Sequence, residues 1–479
     1  MYYNNLWKYS TGISKNQQRF LEIPHTYSWK KKNKKGEFED IKPDSWVGEN
    51  FIAYAVSAPL ANIFIIKPPL SESTAEEHKL IGFNAEPSGE ITIPEGVTEI
   101  KGNLFNHCTR ITKIHFPTTL KLLENNFHNC SGLQGELDLS MCSQLKKVVF
   151  SFSYCPSITS VKFPSEIEKI SGQKCFTGCT GIAGELDLSS YSALKEVSAF
   201  SECKNITSVK FPSQIEKIGG FGGLGISGEL DLSAYSKLRE VWRFDNCTNI
   251  TSVKFPSQIE EIGGFDGCTG ISGELDLSSY SALTNVYGFR NCINITSIKF
   301  PSQIKDIRTK GLNGISGKLD LSSYTNLKIA FLTNFINITD IKLPESIEII
   351  NFAGFESLKN IDLTSYKNII MPGYSEGGFK DCTKLESIKL PENIGGINIK
   401  CFENCKSLKL VEINSVKKDG EEEPKFQYIG VYAFKGIPSD ARFVIKVRES
   451  NATLKQKMSE FIKEKLIEAK IKESQITIE

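Results

Sequence analysis

GELDLS at Gly184–Ser189 and ITSVKFPSQIEKI at Ile206–Ile218 decide the fold, because both blocks return at near-constant distances along the chain. The first recurs at Gly135, Gly184, Gly228 and Gly273, and as GKLDLS at Gly317, with spacings of 49, 44, 45 and 44 residues. The second begins at Ile158, Ile206, Ile250 and Ile295, so two kinds of unit alternate. Weaker copies open the series at Ile91 and Ile111, and degenerate ones close it at Ile338 and Leu385, giving an array from about Gly89 to about Gly436. Both units end in Phe-x-x-Cys, as in Phe105–Cys108, Phe200–Cys203 and Phe402–Cys405. A unit of roughly 21 to 25 residues holds a short strand, a turn and a return arc, and it buries its apolar side only by stacking on its neighbours. The expected fold is a right-handed solenoid, β-rich, with one short parallel strand per coil. About fifteen coils at ~4.8 Å per strand predict an array on the order of 70 Å long.

The unit I-T-x-I-x-F/L-P-x-x-I-x-x-I-x-x-x-F-x-x-C resembles the leucine-rich repeat of the bacterial surface protein, or BspA-like, family, over about 350 of the 479 residues. The resemblance implies a leucine-rich repeat solenoid that binds proteins, often as an adhesin or host-interaction factor, and it brings no catalytic residues. The GELDLS unit departs from the plain family repeat.

Composition agrees with a folded repeat protein. Length alone asks for several domains or one elongated array. Lys plus Arg number 57 against 56 Asp plus Glu, so no global field gathers nucleic acid or an anionic membrane. Hydrophobic residues make up 40% and charged ones 24%, and the 30 Phe against 4 Trp and 4 Met point to a repeated position. MYYNNLWKYSTG lacks the cationic start and apolar stretch of a secretory signal. The longest apolar run, Phe51 to Ile66, is too short and too interrupted for a membrane helix and reads as buried strand or core.

Period-two alternation turns Leu137 and Leu139 inward with Glu136 and Asp138 outward, and Val161 and Phe163 inward with Ser160 and Lys162 outward. One outward column then reads Asp138, Lys162, Asp187, Lys210, Asp231, Lys254, Asp276, Lys299, Asp320, Lys342, a ladder of opposite charges that fixes register. Ten of the thirteen cysteines occupy the Phe-x-x-Cys slot, which Leu224, Leu312, Phe335 and Phe355 fill elsewhere. Apolar substitutes mark a buried packing site, so the cysteines are expected to be free, inert thiols. His107, His115 and His128 fall near Cys108 and Cys130, but those cysteines belong to the core slot and His115 points the other way, so no metal is expected. The Asn-Ile-Thr triplets at Asn205, Asn249, Asn294 and Asn337 are expected to use the amide to bond turn backbone.

Three segments follow: 1–82, a flanking cap of unknown function holding Trp7, Trp29 and Trp46; 83–448, the solenoid; and 449–479, a capping helix and tail. The lysine run Lys30 to Lys35 reads as a solvated loop, balanced by Glu37, Glu39 and Asp40. In the tail, Leu454, Met458, Phe461, Ile462 and Leu466 form one helical stripe behind a Ser450/Asn451 start.

No phosphate loop, His-Glu-x-x-His or Gly-x-Ser-x-Gly motif is present in the sequence. The Gly-Gly pairs at Gly219, Gly263 and Gly395 read as equivalent turns. The expected function is non-enzymatic protein–protein recognition by a monomeric chain without cofactor, metal, nucleic acid or membrane insertion. A structural spacer, or an enzyme housed in 1–82, are the alternatives. The stretch before Phe-x-x-Cys in the GELDLS units varies on a fixed frame: Ser198-Ala199, Trp242-Arg243, Tyr287-Gly288, Ala330-Phe331. Trp, Tyr and Arg carry interface energy. The expected partner-binding residues are therefore Trp242, Arg243, Tyr287, Arg290 and Phe331, stacked on successive GELDLS coils.

Overall fold

The computed structural model describes residues 87–172, 174–366, 369–371, 377–417 and 423–479, together with strands at 29–32, 38–41, 53–57, 62–67 and 78–83. Two compact units form: Met1–Ser227 with Ala234–Cys247, and Gly228–Ser233 with Thr248–Glu479.

Every coil of the repeat gives one short strand to a parallel sheet, and the strand is the segment that precedes the Phe position. In the first unit these strands include Lys147–Val149, Lys169–Ser171, Glu196–Ser198, Lys217–Gly219 and Glu240–Val241, paired in that order. In the second unit they include Glu261–Gly264, Asn285–Gly288, Asp306–Lys310, Ile329–Thr333 and Ile349–Asn351. The GELD and ITSVK segments add a second row of strands that pair in twos, Gly184–Asp187 with Ile206–Lys210 and Gly273–Asp276 with Ile295–Lys299.

The Phe position builds the core. In the first unit the rings of Phe105, Phe127, Phe152, Phe176 and Phe200 stack at centroid distances of 4.7, 4.9, 5.3 and 5.1 Å, and all are fully buried. Each such ring contributes about 1.5–3 kcal/mol by burial, with stacking adding about 0.5–1.5 kcal/mol. Several of these residues hold a left-handed backbone, with φ of 62° at Phe127, 64° at Phe152 and 73° at Phe200. A bulky residue keeps that conformation only where packing over-determines it, and the ring stack does so here. In the second unit Phe265 and Phe289 stack at 5.3 Å, as do Phe379 and Phe402 at 5.7 Å. Between Phe289 and Phe352 the Phe position is taken by Thr309 and Leu332, both buried.

All thirteen cysteines are free and buried, as the apolar substitutes in their slot require. Thiols in the Phe-x-x-Cys slot donate to the carbonyl of the preceding coil's Phe, as in Cys155 to Phe127 at 3.1 Å and Cys203 to Phe176 at 3.1 Å. The Asn amides bond turn backbone as expected, Asn205 to the Thr180 carbonyl and Asn294 to the Thr269 carbonyl, each at 2.7 Å. A role for tyrosine was not read from the sequence. The hydroxyls of Tyr191, Tyr235, Tyr280 and Tyr324 accept the backbone amides of Phe163, Phe211, Phe255 and Phe300, where each ITSVK strand ends.

The charge ladder is corrected in its partners. Asp187 lies opposite Lys210 and Asp276 opposite Lys299, as predicted. Yet Lys162, Lys210 and Lys254 pair with Glu136, Glu185 and Glu229 at 2.8, 2.9 and 2.9 Å. The aspartates turn mainly to their own loops, where Asp276 accepts the Ser278 amide at 2.9 Å and its hydroxyl at 2.6 Å, while Asp276 and Asp320 keep the predicted ion pairs with Lys299 and Lys342 at 3.9 Å. The longer Glu reaches across the strand gap, while the shorter Asp closes a local turn.

One further expectation changes. Lys30–Lys32 lie in the strand Trp29–Lys32, paired with Phe38–Ile41, rather than in a loop; Lys34 and Lys35, like Trp7 and Trp46, lie outside the described residues. The apolar run 51–66 contains two antiparallel strands, Ala53–Ser57 and Asn62–Lys67. Strand His78–Phe83 straddles the expected boundary at 82 and pairs in parallel with Val97–Ile100. The tail helix runs Ala452–Glu468, with Asn451 capping the Leu454 amide and Met458, Ile462 and Leu466 buried. After it, Ile476–Ile478 joins the sheet beside Phe443–Ile445, a strand not foreseen in the sequence.

Candidate functional site

The outward face of the long-sheet strands carries the residues that vary. In the first unit an ionic column runs beside the core: Lys169 pairs with Glu196 at 2.7 Å and Lys217 with Glu240 at 2.6 Å. Trp242 follows the strand Glu240–Val241, its indole half-buried and donating to Glu240 at 3.4 Å. Gly219 lies beside it. A Cβ on Gly219 would stand 3.0 Å from the Trp242 carbonyl oxygen and 3.2 Å from its Cβ, so glycine makes room for the Trp242 backbone and Cβ. This corrects the reading of the Gly-Gly pairs as turns: Gly219 and Gly263 sit within strands, on the outward column. Arg243 is exposed at the strand's end with φ 55°.

In the second unit the equivalent strand positions are Gly263, Tyr287, Arg308, Phe331 and Asn351. Gly263 lies opposite Tyr287, Arg308 opposite Phe331, and Phe331 opposite Asn351. The Arg308 guanidinium sits 5.3 Å from the Tyr287 ring centroid and 5.0 Å from that of Phe331, so it is clamped between two aromatic rings. Its Nε donates to both oxygens of Asp306 at 3.0 and 3.1 Å, and its Nη2 to Oδ2 at 2.8 Å. The Asp306 bond also holds the guanidinium above its ordinary pKa. Tyr287 donates its hydroxyl to Asp306 at 3.2 Å. Burial, then the Asp306 charge, push the Tyr287 phenol up to about 12.

Of the five predicted residues, the structure brings Tyr287 and Phe331 together, but through Arg308 of the intervening coil rather than directly. Trp242 and Arg243 belong to the first unit. Arg290 lies off the column, exposed; its amide donates to Asp266 at 2.9 Å and its Nε forms an ion pair with the same carboxylate at 3.8 Å. Arg308 and Asp306 were missed. Their coil lacks the Phe-x-x-Cys marker, and alignment on Leu312 in the cysteine slot, which puts Thr309 at the Phe position, places Ile307 rather than Arg308 two residues before it; only the strand register brings Arg308 onto the column.

His107, His115 and His128 do not gather into one cluster. His115 pairs with Glu90, while His128 stands 5.4 Å from His107 and bonds Ser153 at 2.6 Å. Burial, then the neighbouring His107, hold the His128 imidazole below its ordinary pKa. Among the described residues, no cluster of three or more His, Cys, Asp or Glu gathers, and no helix is long and apolar enough to cross a membrane.

Stacked coils, each giving one strand to the parallel sheet, with a Phe core and a variable outward column define a leucine-rich-repeat solenoid. The chain belongs to the BspA type leucine rich repeat family, whose model matches in six copies over residues 83–183, 148–221, 240–350 and 325–448. No curated protein is significantly similar in sequence. Similar solved structures include a leucine rich cell surface protein of Faecalibacterium prausnitzii, 18% identical, with 73% of this chain and 93% of that one covered and a TM-score of 0.38. The pneumococcal vaccine antigen PcpA is 16% identical over 91% of this chain and 98% of its own, with a TM-score of 0.36. A leucine-rich repeat protein of Bacteroides ovatus is 16% identical over 80% and 92%, with a TM-score of 0.30.

Proposed function

We propose that the chain is a non-enzymatic recognition solenoid that engages a protein partner through the outward column of its long-sheet strands. Tyr287, Arg308 and Phe331 form its anchor in the second unit, with Arg290 at the rim, and Trp242 and Arg243 form a separate patch in the first. The observation that carries this reading is the guanidinium of Arg308 held between two half-buried rings. These residue types supply most interface energy, and the Asp306 clamp fixes their geometry before any partner arrives, which lowers the entropy lost on binding. Adhesion, or contact with a host molecule, is the setting that family membership favours.

One observation favours a second reading, in which the stack is a brace within a structural spacer. Thr309 and Leu332 interrupt the Phe core at the same two coils, so the outer stack could replace the missing inner one. Tyr287→Ala with Phe331→Ala separates the two, and Trp242→Ala with Tyr287→Ala asks the same of both patches. A recognition site keeps its melting temperature and loses the partner captured by the wild-type chain in a pull-down. Lost stability with the partner retained makes these residues part of the core edge.

A further inference from the structure

We infer that the Tyr287–Arg308–Phe331 stack takes a carboxylate from an acidic peptide segment of its partner, held edge-on by Arg308. The inference rests on the recognition function proposed for this face. Both faces of the guanidinium are covered, by Tyr287 at 5.3 Å and Phe331 at 5.0 Å, so a ligand can reach it only along an edge. Asp306 occupies the Nε/Nη2 edge. The Nη1/Nη2 edge is left, and among the described residues Nη1 has no hydrogen-bond partner, while the side chain is 42% exposed. Two parallel N–H donors in a plane match the two oxygens of a carboxylate.

Arg308 and Lys310 alternate with buried Thr309 and so share the outward face of strand Asp306–Lys310. The rings flanking the edge suit apolar residues on either side of the acidic one. Asp306 meanwhile keeps the guanidinium from swinging to a surface acid of its own chain.

The experiment is calorimetric titration of the full chain with poly-L-glutamate at low ionic strength. Wild type is expected to bind. Arg308→Gln should weaken binding at least tenfold, and Arg308→Lys, which keeps the charge but loses the planar edge, at least fivefold. Lys237→Gln, on an exposed lysine away from the column, should change it less than twofold. Thermal melts establish that each variant is folded, and Arg308→Lys stands in if Arg308→Gln is not. No binding by wild type, an unchanged affinity in folded Arg308→Lys, or preference for a phosphoserine polymer over poly-L-glutamate overturns the inference. If the partner captured by wild type is lost from Tyr287→Ala with Phe331→Ala yet survives Arg308→Lys, the carboxylate assignment fails while the recognition function stands. If the aromatic variants also keep the partner, the recognition function itself fails.

Discussion

The Sγ of Cys292 lies 3.0 Å from the carbonyl oxygen of Phe265, one coil earlier. That oxygen already accepts the Cys268 amide at 3.2 Å. The thiol is thus a second donor to a carbonyl that stays satisfied without it, which explains why leucine or phenylalanine can take the slot elsewhere. Burial pushes the thiols of Cys142, Cys175, Cys203 and Cys401 up to about 12, so the reactive thiolate is scarce at neutral pH. A colourimetric thiol reagent should therefore label few of the thirteen cysteines in the native chain and all of them in denaturant. Fast labelling of the whole set under native conditions would show that the slot is open to solvent.

Thr309 is the weak point of the core. It occupies a Phe position, is buried to 4% exposure, and its hydroxyl has no hydrogen-bond partner among the described residues. An unsatisfied buried hydroxyl costs about 1–3 kcal/mol. Thr309→Val keeps the shape and removes the hydroxyl, so chemical denaturation should report a gain of about 1 kcal/mol. A loss of stability would mean that the hydroxyl is satisfied in solution.

The turn aspartates make stability depend on acid. Bonds to the Ser hydroxyl and amide two residues on hold the carboxyls of Asp187, Asp231, Asp276 and Asp320 below the usual carboxylate range. A carboxyl whose pKa is lower in the folded chain contributes stability above the unfolded value of about 4, and that contribution fades as pH falls through the folded value. Melting temperature should fall on acidification below about pH 4. Asp187→Asn with Asp276→Asn preserves an acceptor for the turn but does not titrate, so the slope should flatten; an unchanged slope would place the acid sensitivity elsewhere.

The repeat made much of this fold legible, and its silences mark what was not. GELDLS and ITSVKFP repeat so faithfully that strand register, the inward Leu and Phe, and the buried thiols follow from alternation and from what replaces Cys. The long-sheet strands were harder to see. Glu196–Ser198 and Lys217–Gly219 are three residues each, too short for a period of two to stand out, and the glycine in the second suggests a turn. Lysine's choice of Glu185 over Asp187 depends on side-chain reach, which no pattern of charges encodes. Trp242, Tyr287 and Phe331 were visible as variation on a fixed frame. Arg308 was not, because variation was measured on the GELDLS units alone and Arg308 lies in the ITSIK unit between two of them, in a coil one residue short of the frame.

The Tyr287 hydroxyl ties the outer stack to the buried carboxylate of Asp306, and its ionisation tests that tie. Burial and the adjacent negative charge both disfavour the phenolate, raising the folded value to about 12 against an unfolded value of about 10. For an acid whose folded pKa is raised, the contribution to stability is fully present below the unfolded value and is lost as pH rises from about 10 through about 12. In a spectrophotometric titration, the difference between wild type and Tyr287→Phe should isolate one phenol ionising well above the reference value. Asp306→Asn removes the charge while leaving the burial, so the same phenol should titrate lower, though still above about 10. Tyr287→Phe keeps the ring over Arg308 and loses only the hydroxyl, at a stability cost of about 1 kcal/mol. If the difference titration instead falls at the ordinary tyrosine value in wild type, the hydroxyl faces solvent rather than Asp306, and the stack is looser than a clamped guanidinium requires.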